Sequence, residues 1–325
     1  MNISIIRSNE VNIIDDFIIQ TTSGLYCKYG DFHIDPKMPV TCAIISHAHA
    51  DHACPGNLEV YCTRATQAIM ESRYSGQASF RFIPKDFYQE FFVNDVQIQL
   101  FSAGHVLGSA QILMVYKGVR YLYTGDYKIQ EDATCEPIDY VKANVLITES
   151  TFANPEINHP DPETEIRKLC GISYNILLGA YPLGKAQRIN QLINIHCPDK
   201  IVLLHHSIMR IHKVYEQFGI NKLIYKAYDR KIMKQNRFKE FVYIVPPITF
   251  NSSIRKGDMV KVFASGWEHL QRNNSVSLYI SDHVDWNDIL DYIKYVEPQE
   301  IWTIHGDGHK LAGYYKDRIP VKKLG

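Results

Sequence analysis

The chain carries no excess charge of either sign: 35 Lys and Arg stand against 35 Asp and Glu in 325 residues. No global field draws a polyanion, so any nucleic-acid contact has to come from local basic patches. There is no C-x-x-C pair, and the seven cysteines are an odd number. That argues against a disulfide framework and leads us to expect reduced thiols in a cytoplasmic protein. No apolar run approaches the roughly 20 residues that span a bilayer, so no membrane contact is expected. Met1 to Glu10 lacks a basic region leading into an apolar stretch, so no signal peptide is expected either. Repeats and low-complexity segments are also missing. What remains is an ordinary globular composition, 46% hydrophobic and 22% charged, in a length that suits one large domain or a domain with an insertion.

Against this plain background one stretch stands out. Ser46-His47-Ala48-His49-Ala50-Asp51-His52 follows the apolar run Cys42-Ala43-Ile44-Ile45. It offers three imidazoles and a carboxylate, the ligand types that borderline-soft divalent metals take. In an extended segment His47 and His49 point to the same side, whereas on a helix positions two apart diverge by about 200°. The stretch is therefore expected to be a strand ending at Ser46, whose following loop folds several ligands around a metal pocket. A chance cluster of surface histidines is the bland alternative.

Other apolar runs stop in the same way. Val96 to Phe101 alternates as a strand and leads to His105; the hairpin pattern Gln111 to Tyr123 leads to Asp126; Val145 to Thr148 stops at Glu149. After a gap the habit resumes, with Ser277 to Ile280 ahead of His283 and Ile301 to Ile304 ahead of His305. Reactive residues held at the ends of rigid strands are where chemistry is usually placed. Between these blocks a composition change at Asn154 to Pro162 opens a segment with helices expected over 163–178, 184–196 and 208–218. Thr63 is expected to cap a helix through Tyr74, and Asp285 one through Tyr295. From Arg210 to Lys239 basic residues outnumber acidic ones, with Tyr215, Phe218, Tyr225, Tyr228 and Phe238 interspersed. Such a mixture can hold phosphates and stack bases, and a solvated helix face produces the same composition.

His47-x-His49-x-Asp51-His52, then His105 and Asp126, resemble the ligand set of the metallo-β-lactamase fold, and Asp35 resembles its first acidic motif. Ala103 to Ala110 and Tyr123 to Lys128 resemble the β-CASP nucleases of that fold. Glu149 in Thr148-Glu149-Ser150-Thr151-Phe152 is similar to their motif A, His283 in Ser281-Asp282-His283 to motif B, and His305 in Thr303-Ile304-His305-Gly306 to motif C. Shorter matches resemble the bacterial exonucleases associated with DNA ligase and helicase genes: Gly24-Leu25-Tyr26-Cys27, Asp31-Phe32-His33-Ile34-Asp35-Pro36, Leu183-Gly184-Lys185-Ala186-Gln187 and Phe263-Ala264-Ser265-Gly266-Trp267.

The resemblance implies an α/β fold, a metallo-β-lactamase αββα sandwich from residues 1–155 and 265–325 with a small α/β β-CASP insert over 156–264. It implies two divalent ions, zinc with manganese as the alternative. His47, His49 and His105 would hold the first ion, Asp51, His52 and His305 the second, and Asp126 would bridge them. Hydroxide would attack a phosphodiester, Asp51 would orient it, and His283 would be the general acid, held charged by Glu149. Asp35 would support a ligand rather than be one. Lys185 and Arg188 would contact phosphate. The expected activity is a DNA exonuclease in repair, associated with a DNA ligase and helicase. His305 keeps an RNA-processing nuclease in play. A small-molecule hydrolase would not need Glu149, His283 or the insert, and a scaffold would not need every ligand position filled.

Overall fold

The computed structural model describes residues 12–229, 240–252, 259–272 and 274–324. The stretch read for a signal peptide and the end of the basic segment, with Phe238 and Lys239, lie outside these residues. β1 (Ile18–Thr21), β2 (Gly24–Cys27), β3 (Phe32–Ile34), β4 (Cys42–Ile44), β5 (Asn57–Cys62) and β6 (Ser79–Pro84) pair in that order. The first two pairings are antiparallel and the rest parallel. The crossover from β5 to β6 is α1 (Arg64–Tyr74), started by Thr63, whose side chain accepts from the Thr66 amide.

β7 (Glu90–Val93), β8 (Val96–Ser102), β9 (Ala110–Tyr116) and β10 (Val119–Tyr123) form an antiparallel meander, and β11 (Val145–Glu149) joins β10 in parallel. β8 alternates buried and half-buried residues, the mark of a strand with one face on a core. One apolar cluster draws Ile34 and Ile44 from the first sheet and Ile98, Ile112, Tyr121 and Ile147 from the second, so the two sheets face each other.

The chain then leaves for a third sheet. α2 (Pro162–Cys170), β12 (Asn175–Gly179), α3 (Lys185–His196), β13 (Ile201–Leu204), α4 (His206–Gln217), β14 (Lys226–Ala227), β15 (Phe241–Val245), α5 (Pro247–Ser252) and β16 (Met259–Phe263) follow in sequence. Their strands run parallel in the order β14-β13-β15-β12-β16 around a separate apolar cluster. Leu278 and Ile280 belong to that cluster, which reaches past residue 265. After α6 (Trp286–Val296) the chain returns: β17 (Glu300–Ile304) pairs with β11, and β18 (Val321–Lys323), after α7 (His309–Tyr315), pairs with β17. α6 and α7 cover the outer face of the second sheet and α1 covers that of the first. Asp285 caps α6 in a reciprocal arrangement with Asp288, as its sequence position suggests.

Three expectations need correction. The helix expected over 163–178 stops at Cys170 because Gly171 follows, and the apolar run 175–179 is a central strand buried between neighbours. Residues 277–280 make a single bridge, Leu278 to Ala264, rather than a strand. The Gln271 side chain takes the Leu278 amide at 2.9 Å and gives to its carbonyl at 3.1 Å, replacing ladder bonds. Finally, Cys170 and Cys197 form a disulfide across the packed ends of α2 and α3, while Cys27, Cys42, Cys54, Cys62 and Cys135 are free. A pair 27 positions apart is created by helix packing, which no local spacing encodes. Among the described residues no helix is long and apolar enough to cross a membrane.

Candidate metal centre and acid pair

The parallel strands β3, β4, β10, β11 and β17 all point their C-terminal ends at one place. Asp35 follows β3, the His47–His52 loop follows β4, Asp126 follows β10, Glu149 ends β11 and His305 follows β17. His105 arrives from the end of β8 through Gly104, where φ is 69° and an added Cβ would meet the Lys128 carbonyl oxygen at 2.4 Å, so no side chain fits.

Three imidazoles aim at a common point, and backbone or side-chain partners fix which nitrogen does so. His105 Nδ1 donates to the Asp282 carbonyl at 2.7 Å, which leaves Nε2 unprotonated. His49 Nε2 donates to the Leu183 carbonyl at 3.2 Å, which leaves Nδ1. The Ser46 hydroxyl donates to Asp35 at 2.5 Å and accepts from His47 Nδ1 at 3.0 Å, which leaves His47 Nε2. The three remaining nitrogens meet: His49 Nδ1 lies 2.9 Å from His47 Nε2 and 3.1 Å from His105 Nε2. Lone pairs converging in this way could hold a cation. Asp126 Oδ2 adds the negative charge, 3.7 Å from His47 Nε2 and 3.9 Å from His105 Nε2. Ligand atoms 2.0–2.1 Å from a tetrahedral zinc lie about 3.3 Å from one another, within the spread of these separations. Burial, reinforced at His47 and His105 by neighbouring imidazoles, holds all three rings below their ordinary pKa, the neutral form that a metal requires.

A second donor group, His52, Asp126 and His305, shares Asp126 with the first. Asp35 holds His52 through Nδ1 at 2.8 Å and is itself held by the Tyr123 hydroxyl at 2.8 Å and the Ser46 amide at 2.7 Å. His52 Nε2 therefore faces Asp126 Oδ2, 3.3 Å away. Burial opposes a charge on His52, but Asp126 and Asp35 outweigh it and hold its pKa well above the ordinary value. Asp35 and His305 both have left-handed backbones, φ 44° and 50°, a strained choice for non-glycine residues that recurs at functional sites.

His283 and Glu149 meet beside these groups. Glu149 is fully buried, takes the Tyr127 amide on one oxygen at 3.0 Å, and receives His283 Nδ1 on the other at 2.9 Å. Burial works against the imidazolium, yet the charges of Glu149 and Asp126 win and raise its pKa to about 9. His283 is thus held in its charged form through Nδ1, and Nε2 is left for a ligand in the cavity.

The phosphate contacts expected at Lys185 and Arg188 do not match this geometry, and Asp51 stands at its edge. Asp51 joins neither donor group; its carboxylate is 79% exposed and 3.8 Å from His52 Nε2. Arg188 is 1% exposed and cannot reach a phosphate outside; it donates to the Ser281 carbonyl at 2.8 Å and lies 3.6 Å from both Asp132 and Asp282. Lys185 lines the cavity but is 5% exposed and donates to the Ile280 carbonyl at 3.0 Å. With Lys128, which pairs with Asp132 at 2.6 Å, these cations anchor the turn that presents His283 and the carbonyl that orients His105. Sequence reading missed this network, because Asp132 and Asp282, the anions that face Lys185 and Arg188, lie far from them in the chain. His212 is a packing residue, held by Gln187 at 2.9 Å, and His309 pairs on the surface with Asp307 at 2.6 Å.

The site opens into a cavity of about 780 Å³. Its far wall comes from the C-terminal ends of the third sheet: Tyr181 and Leu183 after β12, Ser207 and Arg210 on α4 after β13, and Trp267 after β16. Gly184 lets that wall close down, since its φ is 80° and a side chain there would meet Val106 at 2.3 Å.

No family model matches the chain. It is similar, at 28% identity over 316 residues, to a protein named probable DNA ligase of Opitutus terrae, covering 92% of this chain and 30% of that one. It is 25% identical over 335 residues to an RNase J-like protein of Methanocaldococcus jannaschii, covering 89% of this chain and 74% of that one. It is 34% identical over 188 residues to the endoribonuclease ysh1 of Aspergillus fumigatus, covering 45% of this chain and 21% of that one. The chain therefore spans under a third of the ligase-named and ysh1 relatives. Among solved structures, a protein of unknown function from Enterococcus faecalis V583 shares the fold at a TM-score of 0.58 and 16% identity, covering 87% of this chain and 79% of that one.

Proposed function

We propose that this chain is a metal-dependent phosphodiesterase that cuts nucleic acid, a β-CASP nuclease on a metallo-β-lactamase αββα sandwich. In this reading the β-CASP insert runs from 156 to about Ile280, because Leu278 and Ile280 pack with the third sheet. The observation that carries the reading is the Glu149–His283 pair at 2.9 Å, with His283 lining the same cavity as His49, His105 and Asp126 of the four-donor group that His47 completes from beneath. A nuclease-like, an endoribonuclease and a ligase-named relative support it.

His47, His49, His105 and Asp126 would hold one divalent ion, and Asp126, His52 and His305 a second; their nitrogen and oxygen donors suit zinc, with manganese as the alternative. Such ions supply charge neutralisation for the phosphate and an activated water. Asp35 keeps His52 oriented, and the Asp282, Leu183 and Ser46 contacts keep the other three imidazoles in the ligating tautomer. Asp51, exposed at the mouth beside His52, is the remaining carboxylate available to complete the second set and orient the nucleophile. His283 gives its proton from Nε2 to the leaving sugar oxygen, and Glu149 stabilises the imidazolium beforehand.

DNA is the proposed substrate, with exonucleolytic action in repair and association with a ligase and helicase. The ligase name on the relative matched over 92% of the chain supports this. RNA is the second reading, supported by the ribonuclease relatives and by His305 in the second donor group. The test uses 5′- and 3′-labelled single-stranded DNA, duplex DNA and RNA with zinc or manganese, and Asp126→Ala as control. Cleavage of RNA alone overturns the DNA assignment. Equal activity in Asp126→Ala, or a protein that takes up no divalent metal, overturns the mechanism.

A further inference from the structure

Next to the acid pair the cavity changes character. Trp267 lines it with 40% of its surface exposed, which is unusual for the largest apolar side chain. Its ring rests on Phe152, 4.5 Å between centroids, and Phe152 lies 6.1 Å from the His283 imidazole and 4.6 Å edge-on to His159. Phe152 itself is 2% exposed, so it backs Trp267 rather than offering a face of its own. Gly266 permits the assembly: a side chain there would come within 2.9 Å of His159 and 3.1 Å of Phe152. The Trp267 amide donates to Ser265 Oγ at 3.1 Å, which fixes the turn. One aromatic ring thus separates the candidate proton donor from the open face of an indole.

We propose that Trp267, backed by Phe152, is a stacking platform for the unpaired base of the nucleoside that departs, and that the site therefore takes single-stranded nucleic acid. This rests on the nuclease reading above, in which His283 protonates the departing sugar oxygen. The base attached to that sugar is then the one carried toward Trp267. An indole face recognises any base by stacking, so the platform confers dependence on a base without sequence preference. A base in a duplex cannot reach the indole while paired, so the terminal pair must first open.

The test has a binding arm and a kinetic arm. Of the three tryptophans, Trp286 is 7% exposed and Trp302 fully buried, so fluorescence quenching by an added oligonucleotide reports on Trp267. With metal chelated, a thymidine hexamer should quench the wild-type protein, a fully abasic hexamer should quench far less, and Trp267→Phe should lose the quenchable component. In the kinetic arm, thymidine dinucleotides lacking the base on one side or the other are cut by wild type, Trp267→Ala and Trp267→Phe. Removing the base of the departing nucleoside should lower wild-type kcat/KM about tenfold. It should do so less in Trp267→Phe and not at all in Trp267→Ala, while removing the other base affects all three alike. Equal quenching by the abasic hexamer, or equal sensitivity of wild type and Trp267→Ala, overturns the platform. Base-dependent quenching without hydrolysis by wild type under any metal supports the platform and overturns the nuclease reading instead.

Discussion

The floor and the far wall of the cavity are built from the same device, the C-terminal ends of parallel strands, yet they are finished differently. On the floor, His47, His52, His105, Asp126 and Glu149 are buried, and each ring nitrogen that faces away from the centre has a named partner. On the far wall, Tyr181, Arg210 and Trp267 are exposed. Groups that must hold one geometry for chemistry are locked before any ligand arrives; groups that meet a variable chain are left in water until it does. Substitutions on the floor should therefore change turnover or metal content, and those on the wall should change binding.

The largest effect that leaves the ions in place is expected at His283. His283→Ala should lower kcat by about 10² to 10⁴-fold, the range of a lost general acid, with metal content unchanged. Loss of metal together with activity would put His283 among the ligands and merge it with the donor groups. Glu149→Gln should cost less and act through pH. The acid must be protonated to work, so the rate falls as pH rises through its pKa, about 9 in the wild type. Removing the Glu149 charge removes a cause that raises this pKa, so the alkaline limb should move to lower pH. A pH–rate profile that keeps its limb in Glu149→Gln sinks the pairing.

Asp35→Asn tests the floor from below. Its carboxylate holds His52, Ser46 and Tyr123 together, and Ser46 in turn orients His47. Zinc affinity should fall roughly 10- to 100-fold, as when an outer partner of a ligating histidine is lost. A competitive chelator titration measures this, and unchanged affinity would reduce Asp35 to a packing group.

The two halves also differ in how much of them the sequence disclosed. The floor was legible because its residues repeat one pattern, an apolar run stopped by a reactive residue, and because α1 and α6 announce themselves with Thr63 and Asp285. The far wall was not. Residues 175–179 read as the tail of a helix because a short apolar run has no period of its own, and only pairing with β15 and β16 makes it a strand. Lys185 and Arg188 read as phosphate contacts because the sequence shows cations; Asp132 and Asp282, which neutralise them, are distant in the chain. Asp51 sits inside a ligand motif, yet its side chain turns to solvent, a rotamer choice that no spacing determines.

The smallest predicted effect sharpens the comparison most. Arg73 and Arg210 both line the cavity and are both exposed, but the Arg73 guanidinium donates to the Ala48 carbonyl inside the metal loop. Removing Arg73 therefore disturbs floor and wall together, whereas Arg210, on α4, belongs to the wall alone. If Arg210 neutralises one phosphate, Arg210→Ala should weaken binding of every single-stranded sequence alike and reduce the slope of log affinity against log salt by about 1. Between 50 and 200 mM salt the deficit of the variant should then shrink about threefold, because the wild type has one more counterion to take back. Metal content and kcat at saturation should stay at wild-type values. A fall in kcat at saturating substrate would mean that the wall positions the reacting phosphate, and the division between a locked floor and a wet wall would fail at that residue.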